Sequence, residues 1–399
     1  MKHSLRLQVV AFTATRTVLN TAYRMVYPFL AVFGRGLGVD LPMLSLALTV
    51  RSLSGSLGTF LAWTADRHSR KIGMLLGLML FTLGATVVFL YPSYPTFVIT
   101  LALTAVGKYV FDPSMQAYLG DQIAYQRRGA VLALTELSWS ASFILGIPLV
   151  GVLISHCGWH SPFPFFTLFG LLAFGLLTKM LPGSSGVKDQ NSAWGYSFRM
   201  VFTSAPALIG LAMGMAFSVA NETVNLVFGV WMEEDFGLKI ATLGFASALI
   251  GLSEFGGETL VALLTDRLGK PRALTLGLLL NSLAALALPF LGRSLTGALA
   301  GLFFFYISFE FTLVSSLPLM TEILPAARAT LMAASVASMS LGRALGDLLA
   351  SPLYLLAKVL PPISFLSSGI LLSALAAVLF NAVALLALGH LQRTRGLGG

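Results

Sequence analysis

Long apolar blocks separated by short polar connections run the length of the chain. They cover residues 7–33, 42–64, 72–91, 96–120, 129–155, 162–181, 203–231, 241–264, 272–291, 296–320, 329–356 and 363–390. Each is about the ~20 residues that an α-helix needs to cross a ~30 Å hydrocarbon layer, or longer. A barrel strand would stop after ~10 alternating residues. The pattern therefore predicts an all-α membrane protein of twelve transmembrane helices in two similar six-helix bundles.

The connections are short and rich in turn formers, such as Tyr91-Pro92-Ser93-Tyr94-Pro95 and Gly158-Trp159-His160-Ser161-Pro162. The longest, from Leu181 to Val201, holds Pro182-Gly183-Ser184-Ser185-Gly186 and lies at the midpoint. It reads as a flexible linker. The expected organisation is a first bundle over 1–181, a cytoplasmic linker over 182–201 and a second bundle over 202–399. The opening Met1-Lys2-His3 superficially suits a signal peptide. Its apolar run is long, contains Arg16 and Arg24, and lacks a small-residue cleavage site, so it reads as a first helix.

Composition agrees with membrane embedding. Hydrophobic residues make up 56% of the chain and charged residues 10%, with a mean hydropathy of +0.85. A soluble domain carries ~25% charged residues to wet its surface. The formal charge of +9 does not point to nucleic acid, because no basic patch with interleaved aromatics is present. Five of the 25 Lys and Arg residues (Arg16, Arg24, Arg51, Lys108 and Arg343) fall inside the apolar blocks, and the other twenty divide by side. Sixteen, among them Lys2, Arg127, Arg128, Lys188 and Arg328, lie on the side of the N-terminus, and only Arg35, Lys239, Arg293 and Lys358 lie opposite. The positive-inside bias places both termini and the linker in the cytoplasm, with the chain in the cell (inner) membrane. Cys157 is the only cysteine, so no internal disulfide can form.

The halves overlay at an offset near 200. Thr64-Ala65-Asp66-Arg67-His68-Ser69-Arg70-Lys71 follows the second apolar block, and Leu264-Thr265-Asp266-Arg267-Leu268-Gly269-Lys270 follows the eighth. Asp121 and Arg128 correspond to Glu322 and Arg328, and Gly146 corresponds to Gly346. On these residues the chain resembles the major facilitator superfamily, whose loop between helices two and three reads roughly G-x-x-x-D-R-x-G-R-R. Asp66, Arg67, Arg70 and Lys71 match it, while Ala62 and Ser69 replace its glycines. Asp266, Arg267, Gly269 and Lys270 repeat it in the second half. The resemblance implies two bundles related by an axis along the membrane normal, a monomer, and a gating role for this charged loop. Physically, the loop suits a charge lock in which a carboxylate meets a helix N-terminus while arginines pair with it or with lipid phosphate. The simpler reading is that these charges only enforce topology.

Ionisable residues inside membrane helices are candidates for function, because burying a charge in lipid is costly. In the first half, Arg16, Asn20 and Arg24 fall four apart on one helical face near Tyr23 and Tyr27. Arg51, Lys108, Asp112 and Glu136 follow. The second half supplies Glu222 with Asn221 and Asn225, then Glu254, Glu258, Glu310, Arg343 and Asp347. The candidate substrate and proton cavity is Asn20, Arg24, Tyr27, Arg51, Lys108, Asp112, Glu222, Asn225, Glu254, Glu310, Arg343 and Asp347. Glu222 and Glu310 lead as proton carriers. Lys108/Asp112 and Arg343/Asp347 equally suit structural i,i+4 pairs. Arg16 can snorkel toward the interface, and Glu136 and Glu258 suit solvation or gating near the cytoplasmic ends.

Gly146-Ile147-Pro148-Leu149-Val150-Gly151 resembles a degraded form of the family's antiporter signature. Lys108 stands out of register with the family's arginine in helix four. No nucleotide-binding loop, His-Glu-x-x-His motif or Cys/His cluster is present, so no cofactor or metal is expected. The expected partners are a small-molecule substrate, protons and membrane lipid. The leading expectation is a secondary active transporter working by alternating access, with proton-coupled efflux (antiport). Proton-coupled uptake by symport, lipid translocation, a sensor that has lost transport and a membrane-embedded enzyme are the alternatives.

Overall fold

The computed structural model describes residues 3–123, 131, 134–182, 194–361 and 366–394, except for the side chains at 3–4, 58–68, 194–196 and 368. Among the described residues, each predicted segment contains helix: α1 (His3–Arg24), α2 (Leu30–Leu37), α3 (Leu41–His68), α4 (Arg70–Leu90) and α5 (Tyr94–Gln122), then α6 (Leu134–Cys157) and α7 (Pro162–Met180). The second half continues with α8 (Trp194–Thr203), α9 (Ala205–Asn225), α10 (Phe228–Phe236), α11 (Ile240–Leu268), α12 (Lys270–Leu291), α13 (Leu295–Ile323), α14 (Arg328–Val359) and α15 (Ser368–Thr394). Among the described residues, nine spans are long and apolar enough to cross a membrane, or ten if the bent pair Leu30–Leu37 and Leu41–Leu57 counts as one. α1, α3 and α14 fall short singly, and each carries ionisable residues within its apolar run.

The chain forms two compact units, Met1–Asp189 with Lys239–Gly251, and Gln190–Leu238 with Leu252–Gly399. Helix starts follow from side chains that satisfy free N–H groups. Ser93 and Thr96 form a reciprocal capping box at α5. Ser204 accepts from the Ala207 amide at 3.4 Å, and Ser294 from the Gly297 amide at 3.2 Å.

The first long segment of each half, continuous in apolar character, is broken in the structure. α1 gives way at Met25–Phe29, a stretch that contains Pro28, and α9 gives way at Leu226–Val227. Both breaks use the same tightened turn. The Tyr27 amide donates to the Arg24 carbonyl at 3.3 Å, and the Val227 amide to the Val224 carbonyl at 3.2 Å. Pro28 has no N–H for its i−4 carbonyl, that of Arg24, and the Tyr27 amide takes its place. The short helices that follow, α2 and α10, both end on a left-handed glycine, Gly38 at φ 67° and Gly237 at φ 65°. Only glycine holds that conformation without a Cβ penalty.

Small residues bring backbones together, as expected where lipid supplies no hydrophobic drive between helices. In the first unit α4 and α5 cross at Gly77 and Gly107, where a Cβ on either would come 2.6 Å from the other's carbonyl oxygen. In the second unit α14 presents Gly342-Arg343-Ala344-Leu345-Gly346 to α9. A Cβ at Gly342 would strike the Met215 carbonyl, and one at Gly346 the Cβ of Glu222. Buried Asn281 on α12 donates to the Phe305 carbonyl at 2.8 Å, and Asn381 on α15 donates to Asn281 Oδ1 at 2.7 Å.

Candidate functional site

In the first unit, α1 carries its polar stripe along α6. Arg16 Nη1 donates to the Thr135 carbonyl at 3.1 Å, Asn20 Nδ2 to the Ser138 hydroxyl at 3.2 Å, and Arg24 Nη1 to the Trp139 carbonyl at 3.0 Å. The i,i+4 spacing that aligns the three residues in the sequence makes them successive rungs of one seam. The backbone of α6 departs from α-helix along and just past this seam. Residues Ser142–Gly146 form a π-turn, next to Pro148, which has no N–H for the Ile144 carbonyl. Arg24 also lies over the Trp139 ring at 4.0 Å and the Phe143 ring at 3.8 Å, both favourable positions for a cation.

Helix α5 closes the cluster. Asp112 lies 3.1 Å from Arg16 Nε and 2.5 Å from Lys108 Nζ. Arg16 reaches past it to Glu136 at 2.7 Å, and Gln116 Nε2 donates to the same Glu136 carboxylate at 2.9 Å. Two cations and two carboxylates from three helices therefore share one site, with Arg16 bridging the carboxylates. Arg16 is buried at 6% exposure, so it does not snorkel to an interface. Glu136 is an ion-pair partner and does more than meet solvent. Sequence reasoning places Arg16 in the stripe but leaves it and Glu136 outside the cavity set. It also misses Gln116 and Trp139. The one available signal is that Arg16 begins the same four-residue spacing.

Arg51 forms a second centre. Its Nη1 donates to the Tyr23 carbonyl at 2.8 Å, its Nη2 to the Tyr27 hydroxyl, and its guanidinium stacks on both rings at 4.2 and 4.7 Å. The Tyr23 carbonyl is the one that the break in α1 leaves without a helical donor, because the Tyr27 amide turns to Arg24 instead. Arg51 thus splints the broken helix. Tyr23 meets Tyr109 edge-on, with ring centroids 6.4 Å apart, which links this centre to α5.

In the second unit, Glu222 on α9 is 1% exposed and accepts from Asn225 Nδ2 at 3.3 Å. The Tyr306 hydroxyl on α13 donates to Asn225 Oδ1 at 2.9 Å. The three side chains form a relay that ends on a buried carboxylate. Glu310 is buried on α13 at its crossing with α11, where a Cβ on Gly257 would come 2.7 Å from that of Glu310. Glu254 is buried on α11, Asp347 is buried on α14 beside Gly346, and Arg343 is half-buried between the two close-packed glycines.

Of the gating candidates, the side chains of Asp66 and Arg67 lie outside the described residues. Arg70 Nε stands 3.4 Å from Asp121, and at the corresponding place in the second half Lys270 pairs with Glu322. Both pairs join the start of one helix to the end of the next, α4 to α5 and α12 to α13. Lys71 Nζ donates to the Thr178 and Leu181 carbonyls, both at 2.7 Å, and so caps the C-terminal end of α7. Asp266 and Arg267 are exposed at the end of α11. No group of His, Cys, Asp and Glu that could hold a metal occurs among the described residues.

Residues 13–347 match the Major Facilitator Superfamily. An uncharacterized MFS-type transporter of Bacillus subtilis (strain 168), YceJ, is 24% identical over 345 residues, which cover 86% of this chain and 88% of that protein. Multidrug resistance protein 2 of the same organism is 23% identical over 297 residues, covering 68% of this chain and 73% of that one. Among solved structures, a bacterial homolog of the human lysosomal transporter Spinster, inward-facing and unoccupied, superposes with a TM-score of 0.81 at 17% identity, covering 99% of this chain and 98% of that one. The peptide transporter POT (E310Q mutant) in complex with sulfate gives 0.77 at 15% identity, covering 96% and 95%. The likeness to the solved structures concerns the fold alone. The family match spans most of the sequence, and the repeated helix breaks and ion pairs agree with it: this chain belongs to the Major Facilitator Superfamily.

Proposed function

We propose that this secondary transporter exports a small organic solute in exchange for protons. The observation that carries the proposal is Asp112, a carboxylate inside an apolar helix with Arg16 on one oxygen and Lys108 on the other. The proton affinity of a buried carboxylate is set by desolvation and by nearby cations. Any helix movement that withdraws Arg16 or Lys108 changes that affinity, which ties proton binding to conformation. The Tyr306–Asn225–Glu222 relay supplies a carboxylate with no lysine or arginine in the relay itself, and Glu222 with Glu310 are our proposed proton carriers. The π-turn at Ser142–Gly146, which leads into the Gly146–Gly151 segment that resembles the antiporter signature, supports exchange over uptake. So does the relative named a multidrug resistance protein.

Arg24, Asn20 and Trp139 border the same cluster and are the proposed substrate contacts in the first unit. The pairs Arg70–Asp121 and Lys270–Glu322, together with Asp66, Arg67, Lys71, Asp266 and Arg267, are the proposed cytoplasmic fasteners. This assignment follows the basic-residue bias, which also supports both termini on the cytoplasmic side of the cell membrane. We take the working form to be a monomer.

Everted membrane vesicles test the proposal. A preformed pH gradient should collapse on adding a transported compound from a panel of drugs, sugars and amino acids, and Asp112→Asn should abolish that collapse. Uptake by symport is the result if right-side-out vesicles accumulate the compound and acidify. Retention of proton-driven transport in Glu222→Gln/Glu310→Gln would remove both residues as carriers.

A further inference from the structure

In the second unit, α11, α12 and α13 enclose an open groove of ≈ 340 Å³ whose wall is hydrocarbon, including Leu260, Leu264, Leu276, Leu283, Phe304 and Phe311. Its length along α12, from Leu276 to Leu291, is ~22 Å at ~1.5 Å per residue. That exceeds the ~15 Å depth of one leaflet, half of a ~30 Å hydrocarbon core. A single acyl chain can therefore lie in it full length. The Ser308 hydroxyl on the same wall is already engaged: it donates to the Phe304 carbonyl at 2.6 Å and accepts from Asn281.

One end of the groove is basic. On α11 the stripe Leu260, Leu264 continues at the i+7 position into Arg267, and on α12 the stripe Leu280, Leu276 continues back four residues into Arg272. These spacings put both arginines on the faces that line the groove, one turn beyond its apolar wall. Both are exposed, and among the described residues neither enters an ion pair. Their neighbour Lys270 is held by Glu322. Asp266 follows Leu264 by two positions, which turns it to the opposite side of α11.

We propose that this groove binds one anionic phospholipid, its phosphate between Arg267 and Arg272 and one acyl chain along α12. Charge complementarity selects the headgroup, because every phospholipid offers a chain but only an anionic one adds net attraction to two arginines. The inference does not depend on the direction of transport or on its coupling.

Native mass spectrometry of the full chain, purified from nanodiscs containing equal phosphatidylglycerol and phosphatidylcholine, tests it. Wild type should retain phosphatidylglycerol in preference to phosphatidylcholine. Arg267→Gln/Arg272→Gln should lower that preference by roughly thirtyfold, as expected for two basic side chains near an anionic surface. Ala287→Phe, which fills the floor of the groove without touching the arginines, should reduce retention of both lipids. Gel filtration checks that each variant is folded, and should the double arginine variant fail to fold, Ala287→Phe and the lipid competition decide. Three results would overturn the proposal: equal retention of the two lipids by wild type, unchanged retention of both lipids in Ala287→Phe, or displacement of bound lipid by inorganic phosphate. Short-chain dihexanoyl phosphatidylglycerol should bind far more weakly than the dioleoyl form, and equal binding would overturn the acyl-chain assignment, leaving a site for the headgroup alone.

Discussion

Arg51 on α3 donates to the carbonyl oxygen of Tyr23 on α1 at 2.8 Å, and that carbonyl is the one released where α1 breaks. The guanidinium also reaches the Tyr27 hydroxyl, immediately before Pro28 in the same broken segment. One side chain thus holds both tyrosines of the break, which accounts for a fully buried arginine in a helix that should be apolar. Replacing it with Met should leave the carbonyl unmet and cost about 1–3 kcal/mol. Equilibrium unfolding in mixed micelles measures this, and an unchanged midpoint would show that the carbonyl finds another donor.

Arg16 joins Asp112 and Glu136. Arg16→Gln alone should leave two carboxylates facing one lysine and cost about 3–5 kcal/mol, as for other broken buried pairs. Combining it with Glu136→Gln restores the charge balance. The two changes should be coupled by at least about 1 kcal/mol in a double-mutant cycle of thermal unfolding. Strict additivity would mean that the four groups do not act as one cluster.

The two glycines of α14 face α9, Gly342 at Met215 and Ser218 and Gly346 at Glu222. Gly342→Ala and Gly346→Ala should each destabilise the protein by about 1–3 kcal/mol, because the added carbon meets backbone at one site and the root of Glu222 at the other. Gly346→Ala should in addition slow transport by displacing that carboxylate. A Cβ added at Gly175 on α7 would meet nothing within 4 Å. Its change to Ala should be neutral or stabilising by up to about 1 kcal/mol, and comparison of unfolding midpoints checks the contrast.

Lys270 and Glu322 pair at an exposed helix junction. Such a pair contributes about 1 kcal/mol or less to stability. Lys270→Glu should therefore leave the unfolding midpoint nearly unchanged while altering the transport rate, and the swap Lys270→Glu/Glu322→Lys should restore the rate. A large loss of stability with normal transport would reduce the pair to a structural role.

Much of the fold is legible in the order of residues. Helix positions follow from the length of apolar runs, a property each segment carries alone. The repeat at an offset near 200 reappears as the paired breaks after Arg24 and Asn225, the left-handed Gly38 and Gly237, and the matched pairs Arg70–Asp121 and Lys270–Glu322. The stripe of Arg16, Asn20 and Arg24 is visible because helical spacing aligns residues four apart. The breaks themselves are not, since 7–33 and 203–231 stay apolar across them and Pro28 alone marks the first.

What the sequence by itself determined, then, is a duplicated set of membrane helices and the short inventory of ionisable residues inside them. Tertiary structure decided the partners: Arg16 bridges Asp112 and Glu136, Arg51 splints α1, and Glu222 ends a relay from Tyr306. The reason is physical. Hydrophobic length is a sum over neighbouring residues, whereas the partner of a buried charge depends on how each helix is rotated and packed against residues far away in the chain.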